Sequence, residues 1–188
     1  MDGSLTLHGY FRSSAAWRVR IALEMKGIPY APVFRHLRKG EQSAPDHLAL
    51  NPQGLVPTLE VAGAGPLTQS LAILEWLEET APSPALLPSD PWGRARARAL
   101  AGIVAIDTHP IQNLRVLQYL KREMGQEQPA IDAFARHWIA LGLANLTNLL
   151  DPDAIVLAGG VSADPDIFLP RILAAMSRRL WGTALGSL

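Results

Sequence analysis

Two adjacent serines, Ser13 and Ser14, stand directly ahead of a run that reads as a helix, and Gln69-Ser70 stands ahead of another. A helix N-terminus presents unpaired backbone N–H groups and the positive end of the helix dipole, so it favours an anion. Serine is also a standard helix cap, and residue type alone favours that plainer role for both pairs. Pro57 is unusual under any reading, because it lies inside a strand-like run (56–61) and removes a ladder donor. His109, just before Pro110, has the position of a helix-end residue. The chain has no cysteine, which excludes disulfides, thiolate metal sites and a cysteine nucleophile. His8, His36, His47 and His137 lack metal-ligand spacing, so no metal is expected. Arg94, Arg96 and Arg98 read as a solvated helix face, and the five tryptophans as core.

Composition narrows the classes further. Over 188 residues, 17 Lys+Arg balance 17 Asp+Glu, so the basic surplus of a nucleic-acid binder is missing. With 48% apolar and 18% charged residues the chain can bury a core, as one domain of average size or two small ones sharing an interface. The longest apolar run, 99–106, is far short of the roughly 20 residues that span a bilayer, so no membrane is expected. Residues 1–4 show neither the basic nor the apolar part of a secretory signal, which makes a cytoplasmic address the default.

The first eighty residues alternate strand and helix signals. Residues 4–8 alternate like a short strand, and Ser14 sits where an N-cap belongs. A helix over 15–26 follows, with Trp17, Ile21 and Met25 at spacing four and Gly27 as its stop. Strands are expected over 29–37, 56–61 and, briefly, 66–68, with a weak helical turn near Asp46. Ser70 is expected to cap a helix over 71–80 with apolar positions 71, 74 and 77. This order predicts a compact α/β unit with a mixed sheet. Prolines mark a linker over 81–89. Asp90-Pro91 then opens a helix to about 108, Pro110 opens one to about 125, and Pro129 opens one to about 150. Residues 154–158 read as a buried strand, Gly159-Gly160 as a turn, and 167–181 as a last helix.

The segment Tyr10-Phe11-Arg12-Ser13-Ser14-Ala15-Ala16-Trp17-Arg18-Val19-Arg20-Ile21-Ala22-Leu23 resembles the zeta-class glutathione transferases, and within them the maleylacetoacetate isomerases. Further segments match in register: Lys26-Gly27-Ile28-Pro29-Tyr30, the run from Asn51-Pro52-Gln53-Gly54 to Val56-Pro57-Thr58-Leu59, Thr68-Gln69-Ser70-Leu71-Ala72-Ile73, and His109-Pro110-Ile111-Gln112-Asn113-Leu114. The resemblance runs from about residue 4 to 143.

It implies a thioredoxin-like α/β domain over 1–82 and an all-α domain over 90–150, with glutathione bound in the cleft between them. By this resemblance Ser13, aided by Ser14, donates a hydrogen bond to the glutathione sulfur and keeps it ionised. Val56-Pro57 matches the family's cis-proline, which frees the preceding backbone groups for a peptide ligand. Gln69 and Ser70 would hold the γ-glutamyl carboxylate, Gln42 the glycyl end, and His109, Gln112 and Asn113 would line the helical side of the cleft. Arg12 and Arg115 stand where related maleylpyruvate isomerases carry arginine, and would grip a dicarboxylate-like substrate. The implied protein is a homodimer acting on a small molecule, with glutathione as cofactor. Cysteine stands in many members where this chain has Ala15 and alanine stands in others, so the departure implies only that a protein thiol is dispensable. The implied activity is addition of the glutathione thiolate to a cis double bond, rotation and elimination, converting maleylacetoacetate to fumarylacetoacetate; maleylpyruvate isomerisation and general glutathione transfer are the related alternatives.

Beyond about residue 140 the chain departs from that pattern. The family's next capping-box segment and a cation beyond residue 150 have no counterpart, which makes 90–150 a truncated helical domain. The tail from about residue 140 to 188, through its segments 140–152 and Ile155-Val156-Leu157-Ala158-Gly159-Gly160-Val161, resembles the last part of ROK-family sugar kinases and repressors. That stretch carries no phosphate loop, aspartate base or zinc site of a kinase, so 151–188 reads as an atypical, chimeric tail and an inactive glutathione-binding chimera as a further alternative.

Overall fold

Four strands form one mixed sheet in the order β2-β1-β3-β4. They are β1 (Leu5–Gly9), β2 (Ala31–Phe34), β3 (Thr58–Val61) and β4 (Gly65–Thr68). The computed structural model describes residues 4–150, 152, 173, 174 and 176. β1 runs parallel to β2, with Gly9 opposite Phe34, and antiparallel to β3, with His8 opposite Thr58; β3 and β4 are antiparallel, with Thr58 opposite Thr68. Both edge strands carry an internal proline, Pro32 in β2 and Pro66 in β4.

Helices α1 (Ser14–Met25) and α3 (Ser70–Thr80) pack on this sheet, and α2 (Pro45–Leu50) follows two short 3₁₀ turns, Leu37–Lys39 and Glu41–Ser43. The core joins Leu5 and Leu7 of β1, Val19, Ala22 and Leu23 of α1, Leu59 of β3, and Ile73 and Leu77 of α3. Each large aliphatic side chain buried there contributes about 1.5–3 kcal/mol. Sequence spacing suggested Trp17, Ile21 and Met25 as the apolar stripe of α1, but Ile21 and Met25 are 47% and 58% exposed. The buried face is Ala15, Ala16, Val19, Ala22 and Leu23, a wider i, i+3/i+4 arc whose small residues let α1 lie close to the sheet.

Two expected caps also move by one residue. α1 is capped by Ser13, not Ser14: the Ser13 Oγ accepts the Ala16 N–H at 3.1 Å. α3 starts at Ser70 with Gln69 as the residue ahead of it, so Ser70 lies inside the helix. The expected strand over 29–37 shrinks to β2, and that over 56–61 begins only after Pro57, which cannot donate to a ladder.

Beyond α3 the backbone is held by a buried ion pair. Lys26 at the end of α1 reaches Glu78 Oε2 at 3.0 Å, and its Nζ also donates to the carbonyls of Ala81 (2.6 Å) and Pro84 (2.9 Å). Glu78 in turn accepts the Leu86 N–H at 2.8 Å and the Leu87 N–H at 3.3 Å. Residues 81–87 are thus fastened to the α/β unit.

The chain divides into two compact units, Met1–Ser89 and Asp90–Leu188. In the second, Asp90 caps α4 (Pro91–Gly102) by accepting the Gly93 N–H at 2.7 Å. A π turn over Ile103–Thr108 completes the span expected as one helix to about 108. α5 (Leu114–Arg122) starts four residues after the expected Pro110, because 109–113 form a turn and Asn113 is the cap that accepts the Val116 N–H. α6 (Gln128–Leu150) buries Ile131, Ala135, Ile139, Ala140, Gly142, Ala144 and Thr147. Trp92, expected in the core, is 80% exposed at the start of α4. The expected strand over 154–158 lies outside the described residues, as does nearly all of the expected last helix.

Candidate active site

Register alone gathers the first unit's predicted residues. β1 and β2 end side by side at Gly9 and Phe34, β3 begins opposite that end at Thr58, and β4 ends there at Thr68. The segments leaving or entering at this end are therefore 10–14, 35–43, 55–57 and 69–70. They carry Arg12, Ser13, Ser14, Gln42, Val56, Pro57, Gln69 and Ser70.

Each segment is fixed by its own bonds. The Ser13 N–H donates to Tyr10 O at 2.9 Å, turning the chain from β1 into α1. Because the Ser13 oxygen accepts from Ala16, its own O–H remains free to donate. Arg12 and Ser14 are exposed beside it. The Val56–Pro57 peptide bond is cis, and Val56 stands outside the ladder, whose register begins at Thr58. The carbonyl just before it, Leu55 O, accepts from His47 Nε2 at 2.9 Å and from Asn51 Nδ2 at 2.9 Å. A carbonyl can only accept, so His47 carries its proton on Nε2. Its Nδ1 is buried without a partner among the described residues.

Gln69 is the one described non-glycine residue with positive φ, at 68°. Such a backbone costs about 1–3 kcal/mol and concentrates at functional sites. Gln69 makes no side-chain cap to α3, so the first N–H groups of that helix stay open to a ligand. Its amide instead donates to Gln53 Oε1 at 3.0 Å. Gly54, at φ +61°, sits against the Gln42 backbone, where a β-carbon would lie 3.3 Å from Gln42 O. The 40s turn, the 51–56 segment and the start of α3 are thus joined. Gln42 Oε1 is itself buried and without a partner among the described residues.

Sequence reading missed the polar scaffold beneath these segments. Arg35 follows β2, and its Nε and Nη2 each lie 3.4 Å from His8 Nδ1, while Nη1 donates to Asp46 Oδ2 at 2.6 Å. With Nδ1 accepting from arginine, His8 Nε2 donates to Glu60 Oε1 at 2.5 Å. This chain ties β1 and β3 to α2 and so steadies the 35–46 segment. The Arg35 hydrogen bond holds the Asp46 carboxyl below its ordinary value. On α1, burial lowers the pKa of the Arg18 guanidinium, whose Nη2 lacks a partner among the described residues. No local pattern could have pointed to this network, because His8 stands 27 residues from Arg35 and 52 from Glu60.

The other predicted residues belong to the second unit. His109 and Gln112 lie in the turn between the π turn and α5, Asn113 is the α5 cap, and Arg115 is exposed in the first turn of α5. Among the described residues no group of His, Asp or Glu is arranged to hold a metal. Nor does any described helix have the length and apolarity to cross a membrane.

A thioredoxin-like α/β unit with an open helix N-terminus beside a cis-proline, followed by an all-α unit, is the architecture of glutathione transferases. The glutathione S-transferase N-terminal domain model matches residues 12–80, and the ROK family model matches 94–186. The ROK match therefore begins well before the C-terminal likeness seen in the sequence. A maleylpyruvate isomerase of Ralstonia is 48% identical over 79% of this chain and 70% of its own length. A bacterial zeta-class maleylpyruvate isomerase superposes with a TM-score of 0.75 at 38% identity, covering 96% of this chain and 94% of its own. Maleylacetoacetate isomerase of Methylobacterium extorquens AM1, solved with malonate and glutathione, gives 0.76 at 37% identity with the same coverage. The chain belongs to the zeta-class glutathione transferase family.

Proposed function

We propose that the protein is a glutathione-dependent isomerase that converts maleylacetoacetate to fumarylacetoacetate in aromatic amino-acid catabolism. The observation that carries this reading is the open N-terminus of α3 at a strained Gln69, at the same sheet end as the Ser13-capped start of α1. The residues there suit a γ-glutamyl peptide. Open N–H groups at Gln69 and Ser70 fit its carboxylate. The Val56 backbone fits its peptide groups, and the Gln42 amide oxygen, unpartnered among the described residues, leaves a polar group for its glycyl end.

When bound, glutathione supplies a thiolate for reversible addition to the cis double bond, which frees that bond to rotate. Ser13 donates its free O–H to an anionic sulfur, supported by Ser14 and the α1 dipole. Arg12 and Arg115 supply cations for a dicarboxylate. His109, Gln112 and Asn113 contribute to holding glutathione from the helical side, and Asn113 does so through its Nδ2–H because its Oδ1 is taken by the Val116 N–H. In this reading residues 1–82 are the glutathione-binding domain, 90–150 a truncated helical domain and 151–188 an added tail, in a cytoplasmic homodimer. Maleylpyruvate is the second candidate substrate, favoured by the name of the Ralstonia relative, and side-by-side turnover separates the two.

The test is calorimetric titration with reduced glutathione, paired with an isomerase assay. Saturable binding is expected, weakened at least about tenfold in Gln69→Ala, which is about 1.4 kcal/mol. Turnover is expected only when glutathione is present. A folded protein that binds no glutathione, or isomerises without it, overturns the proposal.

A further inference from the structure

Gly142 sits in the middle of α6, where glycine costs about 1 kcal/mol relative to alanine. Its contact explains why glycine is there. A β-carbon at 142 would lie 2.2 Å from Thr108 Oγ1, 2.7 Å from Thr108 Cγ2 and 3.0 Å from Thr108 Cβ. Gly9 and Gly54, by contrast, would place theirs at 3.2 and 3.3 Å from their nearest neighbours.

Thr108 cannot easily yield. Its β-branched side chain is stiff at χ1. Its Oγ1 donates to Ile103 O at 2.7 Å, and the next residue, His109, donates its N–H to Val104 O at 2.9 Å. Both bonds reach back five residues, and the second is of the backbone type that makes a π turn, a device that recurs at functional sites. The turn runs directly into 109–113, whose far end is fixed by the Asn113 cap on α5. The segment holding His109, Gln112 and Asn113 is therefore set at one end by Thr108 seated on Gly142.

We infer that Gly142 is a positioning residue for the proposed isomerase. Its missing side chain sets how deeply the Thr108 turn seats on α6, and so where His109, Gln112 and Asn113 stand toward glutathione and the maleyl substrate. This rests on the reading under Proposed function.

The experiment compares Gly142→Ala, Thr108→Ala and the double variant. Thr108→Ala empties space rather than filling it, so it keeps the question open even if Gly142→Ala folds poorly. Each single change is expected to raise KM for maleylacetoacetate, Gly142→Ala by about tenfold, with kcat within about twofold. Amide exchange over 103–113 should quicken in each single variant. The double variant should recover toward wild type in both readouts, because the alanine side chain then occupies the vacated space. Unchanged KM and exchange in Gly142→Ala, or a double variant no better than the singles, overturns the inference. An inactive wild-type protein would sink the isomerase reading, while the exchange comparison would still decide whether Gly142 places the loop.

Discussion

The Ser13 oxygen closes the start of α1, and the proposed mechanism gives the same hydroxyl a second duty, donating its proton to a ligand. Ser13→Ala is expected to cost about 1 kcal/mol as a lost cap. It should also lower kcat by about 100-fold, because the donor that steadies the sulfur is gone. Ser13→Thr should restore both. Thermal melts read beside turnover separate the duties, and a stability loss with unchanged kcat would reduce Ser13 to a cap. Residue type foretold a serine cap, but a neighbour's geometry decided which serine. The left-handed backbone of Gln69 left no trace in the sequence, since glutamine is not a residue that announces positive φ. Partners far apart in the chain were equally hidden: His8 and Glu60, and Lys26 and Glu78, are each 52 residues apart.

Elements were legible where local chemistry set them and illegible where packing did. Gly27, Asp90-Pro91 and the prolines of the linker marked boundaries that the backbone respects. The start of α5 was misplaced because Pro110 is a good first helical residue, whereas the π turn uses up the backbone ahead of it. The Lys26–Glu78 pair fastens the end of α1 to the end of α3 and to 81–87. Burial alone would raise the Glu78 carboxyl, but the Leu86 N–H, Lys26 and the Leu87 N–H together hold it below its ordinary value of 4.5. A carboxyl lowered on folding contributes fully above the unfolded value and loses that contribution as pH falls through the lower, folded one. Lys26→Met strands the buried carboxylate and should cost about 3–5 kcal/mol near neutral pH. That deficit should shrink in acid, where Glu78 is protonated in both proteins. Denaturant melts at the two pH values check this, and an equal deficit at both would remove the ion pair from the account.

At the scale of the molecule the two units are built to different standards. The first closes a core over both α1 and α3, with Val19, Leu23, Leu59, Ile73 and Leu77 at 0% exposure. In the second, α4 and α5 have no fully buried residue, and burial concentrates on α6. Amides of β1, β3, α1 and α3 should therefore exchange slowest, and those of α4 and α5 should open at lower free energy. Exchange read by mass spectrometry tests this; equal protection across both units would show one cooperative block. Proline punctuation predicted a linker at 81–89, whereas the depth of burial on either side of it was not legible, because it depends on what each helix face meets.

The prolines in the edge strands bear on how such a molecule meets its neighbours. A strand that approached β2 or β4 would find an edge of only four residues with a donor missing at Pro32 or Pro66. The sheet is therefore a poor template for growth. Copies of the protein crowded together, or a stray extended segment, gain little by lengthening it, so association is left to side-chain surfaces, which select their partners by shape and charge.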